Sequence, residues 1–140
     1  MRPRALAPLV LPLLLACGHR RPEDRIRAAF ESCRTAVEAG EAAKAAAPLA
    51  ATFQGPEGMD RDTARLFLAE TLRRQRVGVT VLSDVIRVDG SEATQEVVLV
   101  LTERTGGLLP AHPSRRTFLL RWREEGGTWK LVELQSPEGS

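Results

Sequence analysis

Between Arg76 and Val77 the spacing of the apolar residues changes, and that change limits the folds open to the chain. Ahead of it they recur at helical intervals: Ile26, Phe30, Cys33 and Val37 follow i, i+4, i+7, i+11, and Ala64, Phe67, Leu68, Thr71 and Leu72 make a second such face. Behind it they alternate. Val77, Val79 and Val81 are interleaved with Gly78 and Thr80, and Phe118, Leu120 and Trp122 with Leu119, Arg121 and Arg123. Helices gathered ahead of strands imply one α+β domain, its three helices packed on one face of an antiparallel sheet.

The first helix is expected from Glu23 to Ala39, opened by Pro22 and two acids and stopped by Gly40. Arg27, Glu31, Arg34 and Glu38 form its solvated face at salt-bridge spacing. An alanine-rich second helix runs from Glu41 to Ala51, kinked or split by Pro48, with Leu49 and Phe53 as core contacts. After the loop QGPEGMD, Asp60 or Asp62 caps a third helix that reaches Arg74. The strands are then Val77 to Val88, Glu92 to Glu103, Thr117 to Glu124 and Trp129 to Leu134, a four-strand antiparallel meander. Asp89-Gly90 is a hairpin signal, and the phase of alternation shifts near Ser83-Asp84, as a bulge would shift it. The domain spans 23–135, and 136–140 read as a frayed tail.

The N-terminus addresses location. Arg2 and Arg4 precede an apolar stretch from Ala5 to Ala16, the pattern of a signal peptide. The stretch is too short to cross a bilayer, which takes about 20 apolar residues, and two prolines interrupt it. Leu14-Leu15-Ala16-Cys17 resembles the lipobox of bacterial lipoproteins, with Leu15 larger than the usual small residue there. That resemblance implies cleavage before Cys17, lipidation of Cys17 and a tether over 17–22. Each buried methylene contributes about 0.8 kcal/mol, so two or three acyl chains hold a protein on a membrane where one does so only marginally. Gly18 in place of an aspartate implies the outer membrane of the cell envelope, on its periplasmic face.

Loss of the signal segment removes Arg2 and Arg4, leaving 18 basic against 18 acidic side chains. A near-neutral domain outside the cytoplasm is a poor partner for nucleic acid. With Cys17 lipidated, the other of the two cysteines, Cys33, has no partner for a disulfide. Its place on the apolar stripe of the first helix makes it a buried, inert core residue.

The order of elements, the stretch FESCRTAVEAGEAAKAAAPLAATF and the closing Trp129-Lys130-Leu131 resemble the nuclear transport factor 2-like (NTF2-like), or SnoaL-like, cone fold over Pro22 to Leu134. The resemblance implies a curved sheet wrapped around a helix to leave a conical pocket, in a family that holds isomerases, hydrolases, dehydratases and many non-catalytic binding modules. Catalytic members line the cone with a general base, usually Asp, His or Tyr. This chain has no tyrosine, and its two histidines, His19 and His112, fall in the tether and in a loop between prolines. No cofactor is expected, and no metal, since the histidines and carboxylates do not converge into a ligand shell.

Asp84, at the phase shift of a long strand, is the acid candidate, and Gln95, on the face of Ala93, Val97 and Leu99, is the polar group best placed inside an apolar pocket. Phe67, Trp122 and Trp129 are candidate pocket walls, the tryptophans becoming plain core if the cone is filled. Arg115, Arg116, Arg121 and Arg123 are a candidate basic stripe or a solvated outer face. The expectation is a membrane-anchored envelope module, non-catalytic, for a small apolar ligand or a protein partner, a second copy included. The rival is an enzyme of isomerase or hydrolase type that moves a proton through Asp84 on a small hydrophobic substrate.

Overall fold

Pro22 opens the first helix at a position where its missing N–H is not needed, and Glu23 and Asp24 complement the positive end of the helix dipole. The computed structural model describes residues 20–104 and 113–137. In it α1 spans Pro22–Ala39, α2 Ala42–Ala46, β1 Leu49–Gln54, α3 Arg61–Arg74, β2 Arg76–Asp89, β3 Glu92–Arg104, β4 Ser114–Glu125 and β5 Thr128–Gln135. Gly40 ends α1 with φ 74°, the left-handed turn in which its N–H reaches Val37 and the N–H of Glu41 reaches Ala36. Asp60 caps α3 by accepting from the backbone N–H of Thr63 at 2.8 Å, a bond that holds its carboxyl below the ordinary range.

The α+β architecture stands, and the sheet order is β1-β5-β4-β3-β2. β2 to β5 form the antiparallel meander that the alternation implies. The fifth strand is new. The second helix ends at Ala46 rather than Ala51, and Leu49–Gln54 runs parallel to β5 as an edge strand, which makes the sheet mixed. Pro48 explains where the helix stops, because it has no N–H to extend the helical ladder. Its carbonyl instead accepts from Leu131 N at 2.8 Å, the bond that starts the parallel pairing.

The bulge falls where the phase shift placed it, with the register slipping between Val81 and Ser83. It has a structural consequence. Val77, Val79 and Val81 share the helix side of β2 before it, and Asp84, Ile86 and Val88 share that side after it, so the extra residue turns Asp84 inward. The α1 helix lies along β2 and runs opposite to it, with Arg27 at Asp84, Arg34 at the Val79 carbonyl and Ala39 at Arg76.

The core lies between α1, α2, α3 and this inner face, and includes Ile26, Ala46, Phe53, Val97, Leu120, Trp122 and Leu131. On α3 the inward residues are Ala64, Leu68 and Leu72, one helical stripe. Phe67 is corrected from the sequence reading. It sits one step off that stripe and is 58% exposed, beside Leu66 at 72%.

Candidate functional site

On β3, Ala93, Gln95, Val97 and Leu99 alternate with exposed or half-buried residues, and all four are buried. Gln95 is therefore a polar side chain in an apolar layer, 1% exposed. Its nearest cross-strand neighbours fix what it touches. Asp84 on β2 and Trp122 on β4 lie diagonally across from it on the same face, within reach of a long side chain.

Gln95 Nε2 donates to Asp84 Oδ1 at 2.9 Å, and Trp122 Nε1 donates to Gln95 Oε1 at 3.0 Å. Arg27 Nε, from α1, donates to Asp84 Oδ2 at 3.1 Å. The four side chains form a chain of contacts from the buried indole outward: Trp122 and Gln95 are almost fully enclosed, Asp84 keeps 16% of its side-chain surface and Arg27 48%. Asp84 and Gln95, the two residues the sequence singles out for proton transfer, are thus brought together with Trp122. They are each other's partners. Each Asp84 oxygen accepts from one protein donor, which uses about half of the carboxylate's acceptor capacity within the fold and directs it at Gln95 and Arg27.

Arg27 is the member that sequence reasoning misses, because its spacing to Glu31 assigns it to the solvated face of α1. In the fold Glu31 pairs with Arg34 instead, at 2.9 Å from its Nε, and Arg34 also reaches Glu38. The i to i+4 pattern carries no signal that would have sent Arg27 to a strand. Its contact is tertiary.

Trp129 is 4% exposed within the core, so it is a filled-core residue rather than the wall of an open pocket. Its Nε1 is buried without an acceptor among the described residues. Phe67, out on α3, does not join the Asp84 cluster. Cys17 and the segment before it lie outside the described residues, as do His19 and His112. Cys33 is free and half-buried, its thiol donating to the Ala45 carbonyl at 3.2 Å, and burial pushes it up from 9.0 to about 11. The thiol stays protonated and unreactive at neutral pH.

The outer face of the sheet has a different character. A groove of about 650 Å³ is lined there by Val85, Leu119, Arg87, Arg121, Glu133 and Gln135 among others. Direct pairing across the strands, Val85 with Glu96, Glu96 with Leu119, Leu119 with Gln135, puts these residues on one side, opposite Asp84. Val85 is 49% and Leu119 38% exposed, while Val98 and Val100 beside them are half-buried. The arginine stripe does not assemble: Arg116 takes the other face from Arg115, Arg121 pairs with Glu133 at 3.3 Å, and Arg123 with Glu125 at 2.7 Å. Among the described residues no group of three or more His, Cys, Asp or Glu is placed to hold a metal, and no helix is long and apolar enough to cross a membrane.

No protein-family model and no curated protein matches the sequence. Solved structures do match the fold. An NTF2-like protein from Cytophaga hutchinsonii superposes with a TM-score of 0.68 at 15% identity, over 83% of this chain and 97% of that one. An NTF2-like protein of unknown function from Pseudomonas putida gives 0.71 at 12% identity, over 81% and 84%. Bd1075 of Bdellovibrio bacteriovorus gives 0.69 at 13% identity over 81% of this chain, which spans only 40% of that longer protein. At these identities the likeness is one of fold, and the element order, the mixed five-strand sheet and these superpositions together show that the chain has the NTF2-like α+β fold.

Proposed function

We propose that this chain is an envelope lipoprotein whose single domain is a non-catalytic protein-interaction module. The location rests on the lipobox-like Leu14-Leu15-Ala16-Cys17 behind a short apolar segment, with Cys17 as the lipidated residue and the outer membrane as the destination. The domain's role rests on one observation. Inside the cone, the acid that would serve an enzyme is bound on both oxygens by Arg27 and Gln95, and Trp122, Ile26, Gln95 and Val97 are packed to less than 2% exposure.

A filled interior favours a partner on the outside over a small apolar ligand within. The outer sheet groove is the surface best suited to it, with apolar Val85 and Leu119 flanked by Arg87 and the Arg121–Glu133 pair. Apolar and charged side chains alternate across it, Glu96 standing between Val85 and Leu119, the mixed composition of a non-obligate protein-binding surface. The enzyme reading keeps one point in its favour, the adjacency of Asp84 and Gln95, but it requires room for a substrate beside the closely packed Gln95, Val97 and Trp122.

A photo-crosslinking residue placed at Leu119, compared with one at the exposed Thr63 on α3, tests the assignment in cells. Adducts to a second copy or to another envelope protein are expected from Leu119 and not from Thr63. Adducts from Thr63 alone, or from neither, refute it.

A further inference from the structure

We infer that the end of the domain made by the β2–β3 turn, the β4–β5 turn and the start of α1 rests against phospholipid headgroups; this deepens, and depends on, the lipid anchor proposed for Cys17. The first ground is covalent length. Four residues, 18 to 21, separate the anchoring Cys17 from Pro22, and fully extended the five steps from one to the other span at most about 18 Å. The second is where that short tether is attached. Arg25, one turn into α1, donates to the Gly127 carbonyl in the β4–β5 turn and lies 3.8 Å from Glu124. Glu124 N in turn donates to Ser91 O at 2.8 Å, so the two hairpin turns and the helix start form one tied end.

From that end α1 runs along β2 toward Arg76, whose guanidinium caps the Ala39 carbonyl at 2.8 Å. Its 18 residues cover about 27 Å, more than the tether can reach, so the Gly40 end cannot be the one held at the bilayer unless the chain is drawn back across the whole domain. The tied end is polar, suited to a headgroup layer rather than hydrocarbon, and its exposed carboxylates, Asp89 and Glu92 among them, favour zwitterionic headgroups with an ammonium group over anionic ones. Asp89, Gly90, Ser91, Glu92, Gly126, Gly127 and Thr128 are exposed and polar or small, whereas the exposed large apolar residues lie elsewhere, on α3, around the bulge and on the sheet's outer face. Arg20 and Arg21, directly before α1, are exposed and form no ion pair among the described residues, which leaves two guanidinium groups for lipid phosphate. In this orientation the strands rise from the membrane and the outer groove faces sideways, toward partners held on the same surface.

The test uses the full lipoprotein, purified from membranes and reconstituted in phosphatidylethanolamine–phosphatidylglycerol vesicles that carry a headgroup quencher. Single fluorophores are attached at Ser91→Cys, Thr128→Cys and Thr80→Cys in a Cys33→Ala background, with Cys33→Ser as the alternative background should the alanine variant fold poorly. Thr80 lies nine residues up β2 from Asp89, or about 30 Å away. Quenching at Ser91 and Thr128 is expected to exceed that at Thr80 by at least about threefold, since only they lie within the tether's reach of the surface. Equal quenching at the three sites, or more at Thr80, on vesicles that carry the protein overturns the orientation. Failure of the protein to float with the vesicles overturns the orientation and the anchor together, and flotation reads that outcome separately from quenching.

Discussion

Gln95 stands in an apolar layer because it is matched there: its carbonyl takes the Trp122 indole proton and its amide donates to Asp84. Gln95→Leu keeps much of the volume but strands both partners, and is expected to cost about 2–4 kcal/mol in urea unfolding. Asp84→Asn keeps an acceptor for Gln95 but turns an amide donor toward Arg27, whose half-exposed side chain can swing into solvent, so the same measurement is expected to show a loss of about 1 kcal/mol. Cys33 supplies a pH signature. Burial raises its thiol from 9.0 to about 11, so the folded chain holds this proton more tightly than the unfolded chain does. The group is silent below about pH 9, and stability falls between about 9 and 11, by on the order of 2 kcal/mol, as the unfolded thiol ionises first. Cys33→Ala removes that part of the alkaline loss. Asp84 and Gln95 were legible as a pair in the sequence, through the phase shift and the alternation. Arg27 was not, because nothing local to α1 distinguishes a guanidinium that reaches a strand from one that pairs along its own helix.

At the scale of elements, local chemistry predicted what local chemistry controls. Gly40, the Asp60 cap, the bulge near Ser83 and the Asp89-Gly90 turn all sit where short-range rules put them. Gly40→Ala tests the first of these: φ 74° disfavours any side chain, and a Cβ there would lie 2.6 Å from Arg76 Nη1, displacing the group that caps Ala39. A loss of about 1–2 kcal/mol is expected, read as a lower urea midpoint at unchanged slope. The second helix shows the opposite case. Alanine-rich sequence favours helix through to Ala51, yet Ala50, Ala51 and Thr52 are strand because β5 offers an unpaired edge 80 residues further along the chain. Phe67 was misplaced for a related reason: helical periodicity admits several apolar positions to a face, and the packing of α3 on α2 and β1 selects Ala64, Leu68 and Leu72.

For the whole molecule, the NTF2-like fold packs Trp122, Gln95 and Trp129 into its interior, and under the lipid anchor proposed here a tether of a few residues would set which part of the outside meets a membrane. The α+β class and the antiparallel meander were readable because hydrophobic period and turn residues specify them, while β1 and the filling of the interior were not. The outer groove was not readable either, since it draws its residues from four strands and has no contiguous motif. The proposal that ties these together is that the domain works at a membrane surface through Cys17, and the intact mass of the protein from the membrane fraction of a Gram-negative host tests it most directly. A chain beginning at Cys17 and heavier by a diacylglyceryl group and an amide-linked acyl chain is expected, with both the added mass and the membrane association lost in Cys17→Ser. A mature chain with an unmodified Cys17, or one that remains in the soluble fraction in both forms, would contradict it.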